Sequence, residues 1–136
     1  MSLFVDTNVW SLAFRRDEPT TGAHVDALRQ ALEEGQTIVS TGLVLQELLQ
    51  GFSGAKSRIL ILEHFSAIPL LAPDREDHIE AATLRNHCRH KGVQTGTIDS
   101  LIAQLCIRYS LTLLSADRDF ENISRHSELS IWHKGL

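Results

Sequence analysis

Short apolar runs alternate with segments of helical periodicity along the whole of this 136-residue chain. Such alternation selects an α/β architecture with a parallel sheet, because each return to a parallel strand needs a crossing helix. Leu3-Phe4-Val5 reads as the first strand. Asp6, Thr7 or Asn8 can cap a short helix over about 8–15, which Glu18-Pro19-Thr20-Thr21-Gly22 breaks. A second helix covers about 22–34, with Val25, Leu28 and Leu32 on one face and Gly35 as its stop. Thr37-Ile38-Val39-Ser40 is the second strand, and a helix from about 42 to 50 ends at Gly51. Ile59-Leu60-Ile61-Leu62 fits either element by pattern alone; its extension through Phe65 selects a helix over 56–66. Ile68-Pro69-Leu70-Leu71 is strand-like, and Pro69 restricts it to a sheet edge or an irregular connection. Helices from Asp74 to about Lys91 and from about 97 to 109 follow, the latter with an apolar stripe of Ile98, Leu101, Ile102, Leu105 and Cys106. A strand at 111–114, a short turn or helix through Phe120 and a last strand at Leu129-Ser130-Ile131-Trp132 complete the chain.

Two of the apolar runs lead into acids. Asp6 ends the first strand, and Asp117 follows Leu111-Thr112-Leu113-Leu114 and Ser115-Ala116. Parallel strands point their carboxyl ends the same way, and open α/β sheets bind ligands just beyond that edge. Glu47 and Asp99 fall in early turns of predicted helices. Carboxylates gathered at one edge repel one another unless a divalent cation neutralises them, and hard cations such as Mg²⁺ prefer oxygen ligands. Each acid has a plainer reading on its own: Asp6 as a helix cap, Asp99 as a favourable charge in a first turn, Glu47 as a solvated helix residue, Asp117 as a turn residue.

Read in order, the motifs resemble those of PIN domains. The matching pieces are Asp6-Thr7-Asn8, Gln46-Glu47-Leu48 with Gly51, Thr97-Ile98-Asp99-Ser100-Leu101-Ile102-Ala103, and Leu113-Leu114-Ser115-Ala116-Asp117-Arg118-Asp119-Phe120. The likeness runs from Leu3 to about Ile131, and the branch it resembles is the VapC-like toxins of bacterial and archaeal toxin–antitoxin pairs. That resemblance implies one domain over 1–136, with a three-layer α/β/α fold around a central, mainly parallel sheet. It also implies an endoribonuclease dependent on Mg²⁺ or Mn²⁺, leaving 5′-phosphate and 3′-hydroxyl ends. The implied partners are RNA, a second copy of the chain and a small antitoxin that inserts a segment near the active site.

Phosphodiester hydrolysis needs an activated water, an in-line approach and neutralised phosphate charge, all of which one or two such ions supply. On this reading Asp6 and Asp99 are the principal ligands. Asp117 completes the site directly or through water, and Glu47 binds a second ion or orients the attacking water. Thr7, Asn8 and Ser115 would fix those carboxylates by hydrogen bonds. Asp119 reads either as a fifth acid or as a cap for the turn before Phe120.

Weaker signals are open to two readings. Arg85 and Arg89 share a helix face and, with His90 and Lys91, either complement the helix C-terminus or form an RNA phosphate track. Arg15, Arg16 and Arg118 stand nearer the motifs in sequence, and Arg15 or Arg16 either is solvated or meets substrate or an antitoxin carboxylate. His87-Cys88-Arg89-His90 lacks the further ligand pair that zinc needs. Cys88 and Cys106 read as buried free thiols. A net charge of −4 argues against a general nucleic-acid coat protein but not against a nuclease with a metal-binding acid cluster. No apolar run approaches the ~20 residues that span a bilayer, so the expectation is a soluble cytoplasmic protein with no membrane association. The competing function is a non-catalytic PIN-like module that binds RNA or protein. A receiver-like phosphoacceptor fits poorly, since the acidic pair expected near its start is absent.

Overall fold

The computed structural model of the chain describes residues 2–15 and 22–134. Arg16 and the predicted helix break at Glu18-Pro19-Thr20-Thr21 lie outside them. Five strands form one sheet: β1 (Leu3–Val5), β2 (Ile38–Thr41), β3 (Leu70–Leu71), β4 (Thr112–Leu114) and β5 (Ser130–Ile131). Their order is β3-β2-β1-β4-β5, and every neighbouring pair is parallel. All three residues of β1 and all four of β2 are buried. Short uninterrupted apolar runs are what a parallel sheet covered on both faces requires, since neither face has a polar side to show.

Seven helices were found among the described residues: α1 (Thr7–Phe14), α2 (Ala23–Glu33), α3 (Gly42–Gly51), α4 (Ala55–Phe65), α5 (Arg75–His90), α6 (Thr97–Arg108) and α7 (Asp119–Ser124). The chain moves from β1 outward to β2 and β3, then returns across the sheet to β4 and β5. Right-handed crossovers therefore lay α1–α4 on one face and α5–α7 on the other. The packing agrees: α1 contacts α2 and α3, α3 contacts α4, and α6 contacts both α5 and α7. Trp10 of α1 anchors its layer, with ring centroids 4.9 Å from Phe65 and 5.9 Å from Phe14.

The predicted elements all appear, with ends displaced by a residue or two where hydrogen bonds close. Pro69 sits just before the edge strand β3, and its carbonyl accepts from Ser40 N at 3.0 Å. Asp74 caps α5 through a reciprocal box with Asp77: Asp77 N donates to Asp74 Oδ1 at 2.9 Å and Asp74 N to Asp77 Oδ2 at 3.0 Å. Arg108 from the far end of α6 reaches the same Asp77 Oδ2 at 2.6 Å, pinning the α5–α6 hairpin.

Two apolar stripes are corrected. On α2 the buried face is Val25, Leu28 and Ala31, a three-residue spacing that turns Leu32 out to 44% exposure. On α6 Ile98 is 44% exposed while Leu101, Ile102, Leu105 and Cys106 are buried, because the first turn of α6 stands at the sheet's rim. The short turn or helix expected through Phe120 is the start of α7.

Candidate metal centre

Val5 lies opposite Leu114 in the sheet, so β1 and β4 end level with each other. These two neighbours are also the strands at which the chain's direction of travel across the sheet reverses. At such a switch point the outgoing loops diverge and leave a crevice. Asp6 follows β1 into that crevice, and Ser115-Ala116-Asp117 follows β4 into it from the other side. Asp6 N still pairs with Leu114 O at 2.9 Å, after which the backbone turns into α1.

The four acids singled out in the sequence face one cavity of about 400 Å³, lined by Asp6, Thr7, Asn8, Glu47, Ile98, Asp99, Ile102 and Asp117. Asp6 is buried at its floor, 9% exposed. Glu47, from the second turn of α3, is exposed at the mouth. Carboxylate oxygens of Asp99, Asp117 and Asp119 lie within 4.8 Å of one another. Asp119, whose role the sequence left open, thus brings its carboxylate to the cluster. The turn before Phe120 is closed by Asp117 instead, whose Oδ1 accepts from Asp119 N at 2.9 Å.

A hydrogen-bond lattice holds these groups. Asp6 Oδ1 accepts from Thr7 N at 2.8 Å, while Oδ2 accepts from Ser115 Oγ at 2.9 Å and Asn8 Nδ2 at 3.3 Å. Ser115 Oγ in turn accepts from Asp117 N at 3.1 Å and from Asn8 Nδ2 at 3.3 Å. Asn8 Oδ1 accepts from Ala116 N at 3.2 Å, closing the bridge between the two strand ends. Thr7 Oγ1 donates to Glu47 Oε1 at 3.0 Å and ties α3 to the start of α1.

The electrostatics are strained. Burial pushes the Asp99 carboxyl up to about 6, reinforced by the charges of Asp6, Asp117, Asp119 and Glu47. Burial likewise raises Asp6, partly offset by the donors Ser115 and Thr7, with Glu47 and Asp117 adding repulsion. Two carboxylate oxygens at the 4.8 Å limit of the triad repel by roughly 3 kcal/mol at an effective dielectric constant of 20. Among the described residues, none that lines the cavity is basic. An all-oxygen donor set with surplus negative charge fits a hard divalent cation such as Mg²⁺ or Mn²⁺.

Elsewhere Arg15, Arg118, Arg89, His90 and Lys91 are exposed, and Arg85 is half-buried. Cys88 and Cys106 are buried free thiols, and His87 and His90 belong to no three-ligand group among the described residues. Ile98 and Ile102 line the acidic cavity although their spacing read as core. The Asp117–Asp119 pair, two apart in a turn entering a helix, was the available signal for the fifth acid.

A sequence profile described as PIN domain matches residues 3–126. Ribonuclease VapC11 of Mycobacterium tuberculosis is 29% identical over 131 residues, covering 93% of this chain and 95% of its own. FitAcB from Neisseria gonorrhoeae superposes with a TM-score of 0.72 at 21% identity, covering 96% of each chain. VapBC2 from Rickettsia felis, solved bound to a DNA fragment from its promoter, gives a TM-score of 0.72 at 22% identity over 98% of this chain and 100% of that one. Likeness at these identities fixes the three-layer α/β/α fold, in which the sheet here is wholly rather than mainly parallel.

Proposed function

This chain belongs to the PIN domain family, and from that membership we propose that it is a metal-dependent endoribonuclease serving as the toxin of a toxin–antitoxin pair. The observation that carries this reading is the meeting of Asp6, Glu47, Asp99 and Asp117 in one cavity at the sheet's switch point. The 29% identity to a VapC ribonuclease across nearly the full length of both chains supports RNA as the substrate.

Bound Mg²⁺ or Mn²⁺ would supply Lewis acidity at the phosphate and a water of lowered pKa. Asp6 and Asp99 are the residues proposed to hold the ion, with Asp117 completing the set directly or through water and Asp119 beside it. Ser115 and Asn8 fix the direction of Asp6 Oδ2, so its geometry is set before any ligand arrives. Thr7 holds Glu47 Oε1, leaving the other carboxylate oxygen to orient the attacking water or serve a second ion. Ile98 and Ile102 supply an apolar wall on one side of the cavity.

The proposed partners are RNA, a small cognate antitoxin and a second copy of the chain, in the cytoplasm; the likeness to VapBC2 supports an antitoxin. Among the described residues no helix is long and apolar enough to cross a membrane. The test is cleavage of single-stranded and structured RNAs with Mg²⁺ or Mn²⁺, against EDTA and against Asp6→Asn and Asp99→Asn. Cutting by the wild type alone, and only with metal, is expected. Cutting that survives in both variants would reject the mechanism.

A further inference from the structure

Beyond the acidic cavity, a second one of about 520 Å³ opens where the end of α5 meets the start of α6, lined by Arg85, Arg89, Gln94, Thr95 and Gly96. Its chemistry is opposite in sign. Among the described residues neither arginine has a carboxylate within ion-pair distance. Arg85 is held in place by its Nε–H, which donates to the Thr95 carbonyl at 2.8 Å and leaves the terminal nitrogens of the guanidinium for another acceptor. The Thr95 hydroxyl is closed off from solvent beside the buried Cys88 thiol, so Thr95 serves here through the carbonyl that fixes Arg85. The first turn of the twelve-residue helix α6 opens on Gly96, which has no side chain to cap it. A Cβ at Gly96 would meet nothing within 4 Å, so the space before the helix end is clear.

Two guanidiniums free of carboxylate partners among the described residues, one of them held in place by a backbone carbonyl, and an open helix N-terminus together select an anion. Asp99 lies three residues beyond Gly96, about 4.5 Å along the helix axis. The same helix turn therefore joins this basic cavity to the acidic one. We propose that Arg85, Arg89 and the N-terminal turn of α6 clamp a backbone phosphate of the RNA, adjacent along the strand to the phosphate at the acidic cavity. The assignment rests on the ribonuclease reading. It also answers a difficulty in that reading: a chain of net charge −4, with a cluster of acids at its centre, needs a local cationic hold on a polyanion. Paired planar guanidiniums match phosphate oxygens bidentately.

The probe is a 5′-fluorescein-labelled, mixed-sequence 20-nucleotide single-stranded RNA. Binding is read by anisotropy in EDTA over a salt series, and cleavage is read with Mn²⁺. Arg89 is exposed with no bond to the protein among the described residues, so Arg89→Ala should fold. Gly96 has φ −71° and ψ 162°, which any residue adopts, and Asp is a favoured helix cap. Gly96→Asp should therefore keep its melting temperature while placing a carboxylate where the phosphate would sit. Both variants should weaken RNA binding about tenfold, the worth of a lost charge-assisted hydrogen bond. Arg89→Ala should flatten the salt dependence by about 0.7, the share of one phosphate contact to a single strand. KM should rise while kcat stays within a few-fold.

Unchanged affinity and salt slope in both variants, with the wild type still cutting, overturns the clamp and leaves the nuclease reading intact. A wild type that neither cuts RNA nor takes up Mn²⁺ overturns both. If RNA binding is unchanged but these variants release an acidic peptide that the wild type holds, the cavity belongs to a protein carboxylate and the clamp is rejected.

Discussion

The Ser115 hydroxyl donates to Asp6 and accepts from both Asp117 N and Asn8 Nδ2, so all of its hydrogen-bonding capacity is used inside the site. Ser115→Ala leaves a buried carboxylate oxygen short of a donor and a backbone N–H short of an acceptor. Urea denaturation should show a loss of about 1–3 kcal/mol. Calorimetry should show Mn²⁺ affinity falling roughly 10–100-fold, because groups that orient metal ligands carry effects of that size. Unaltered Mn²⁺ affinity would remove Ser115 from the site. Asp99 gives a second prediction at this scale. Its folded carboxyl titrates near 6, above the ordinary 3.8. Between those values the metal-free folded chain binds more protons than the unfolded chain, so this group's contribution to stability is present below about 4 and lost as pH rises through 6. Metal-free wild type should melt higher at pH 5 than at pH 7, and Asp99→Asn should flatten that difference. An identical pH profile in the two proteins would contradict the assignment.

Elements, rather than single groups, decide whether the first turn of α6 stands correctly at the rim. The α5–α6 hairpin is pinned at its far end by Arg108 on Asp77, a carboxylate only 1% exposed. Arg108→Ala would leave that charge buried without a cationic partner. The expected outcome is a lower denaturation midpoint, because Asp77 stays buried after its cation is gone. Chemical denaturation measures it; an unchanged midpoint would mean the pair behaves as a surface bridge. Elements were also what the sequence made most legible. Apolar runs such as Leu3-Phe4-Val5 and Leu113-Leu114 are buried strands because nothing else accommodates short stretches with no polar side. Pro69 announced its edge position by lacking an N–H. What stayed hidden was rotation about helix axes. Leu32 and Ile98 fit apolar stripes by spacing, yet exposure depends on what lies opposite, and periodicity does not record where the sheet ends. For the same reason Ile98 and Ile102 could not be assigned to the cavity wall in advance. The acids at 6, 47, 99 and 117 were legible as a set only through their order. The approach of Asp119 depends on how the β4–α7 turn closes on Asp117 Oδ1.

For the molecule as a whole, the clustered acids make the metal-free fold carry its own repulsion. A divalent cation that binds the folded chain alone should raise its stability by about 2.7 kcal/mol at a concentration one hundred times its dissociation constant. Thermal unfolding of EDTA-treated protein with added Mn²⁺ should show that rise, and Asp6→Asn or Asp99→Asn should reduce it sharply. Equal shifts in wild type and both variants would locate the ion elsewhere.

The lattice around Ser115 joins residues more than a hundred positions apart, since Asp6 and Ser115 are separated by 109. During synthesis on the ribosome, then, the emerging polypeptide has Asp6 long before it has the partners that aim it. No amino-terminal portion that stops short of Ser115 can hold the assembled centre, so the growing polypeptide carries Asp6 unaimed until its later strands emerge.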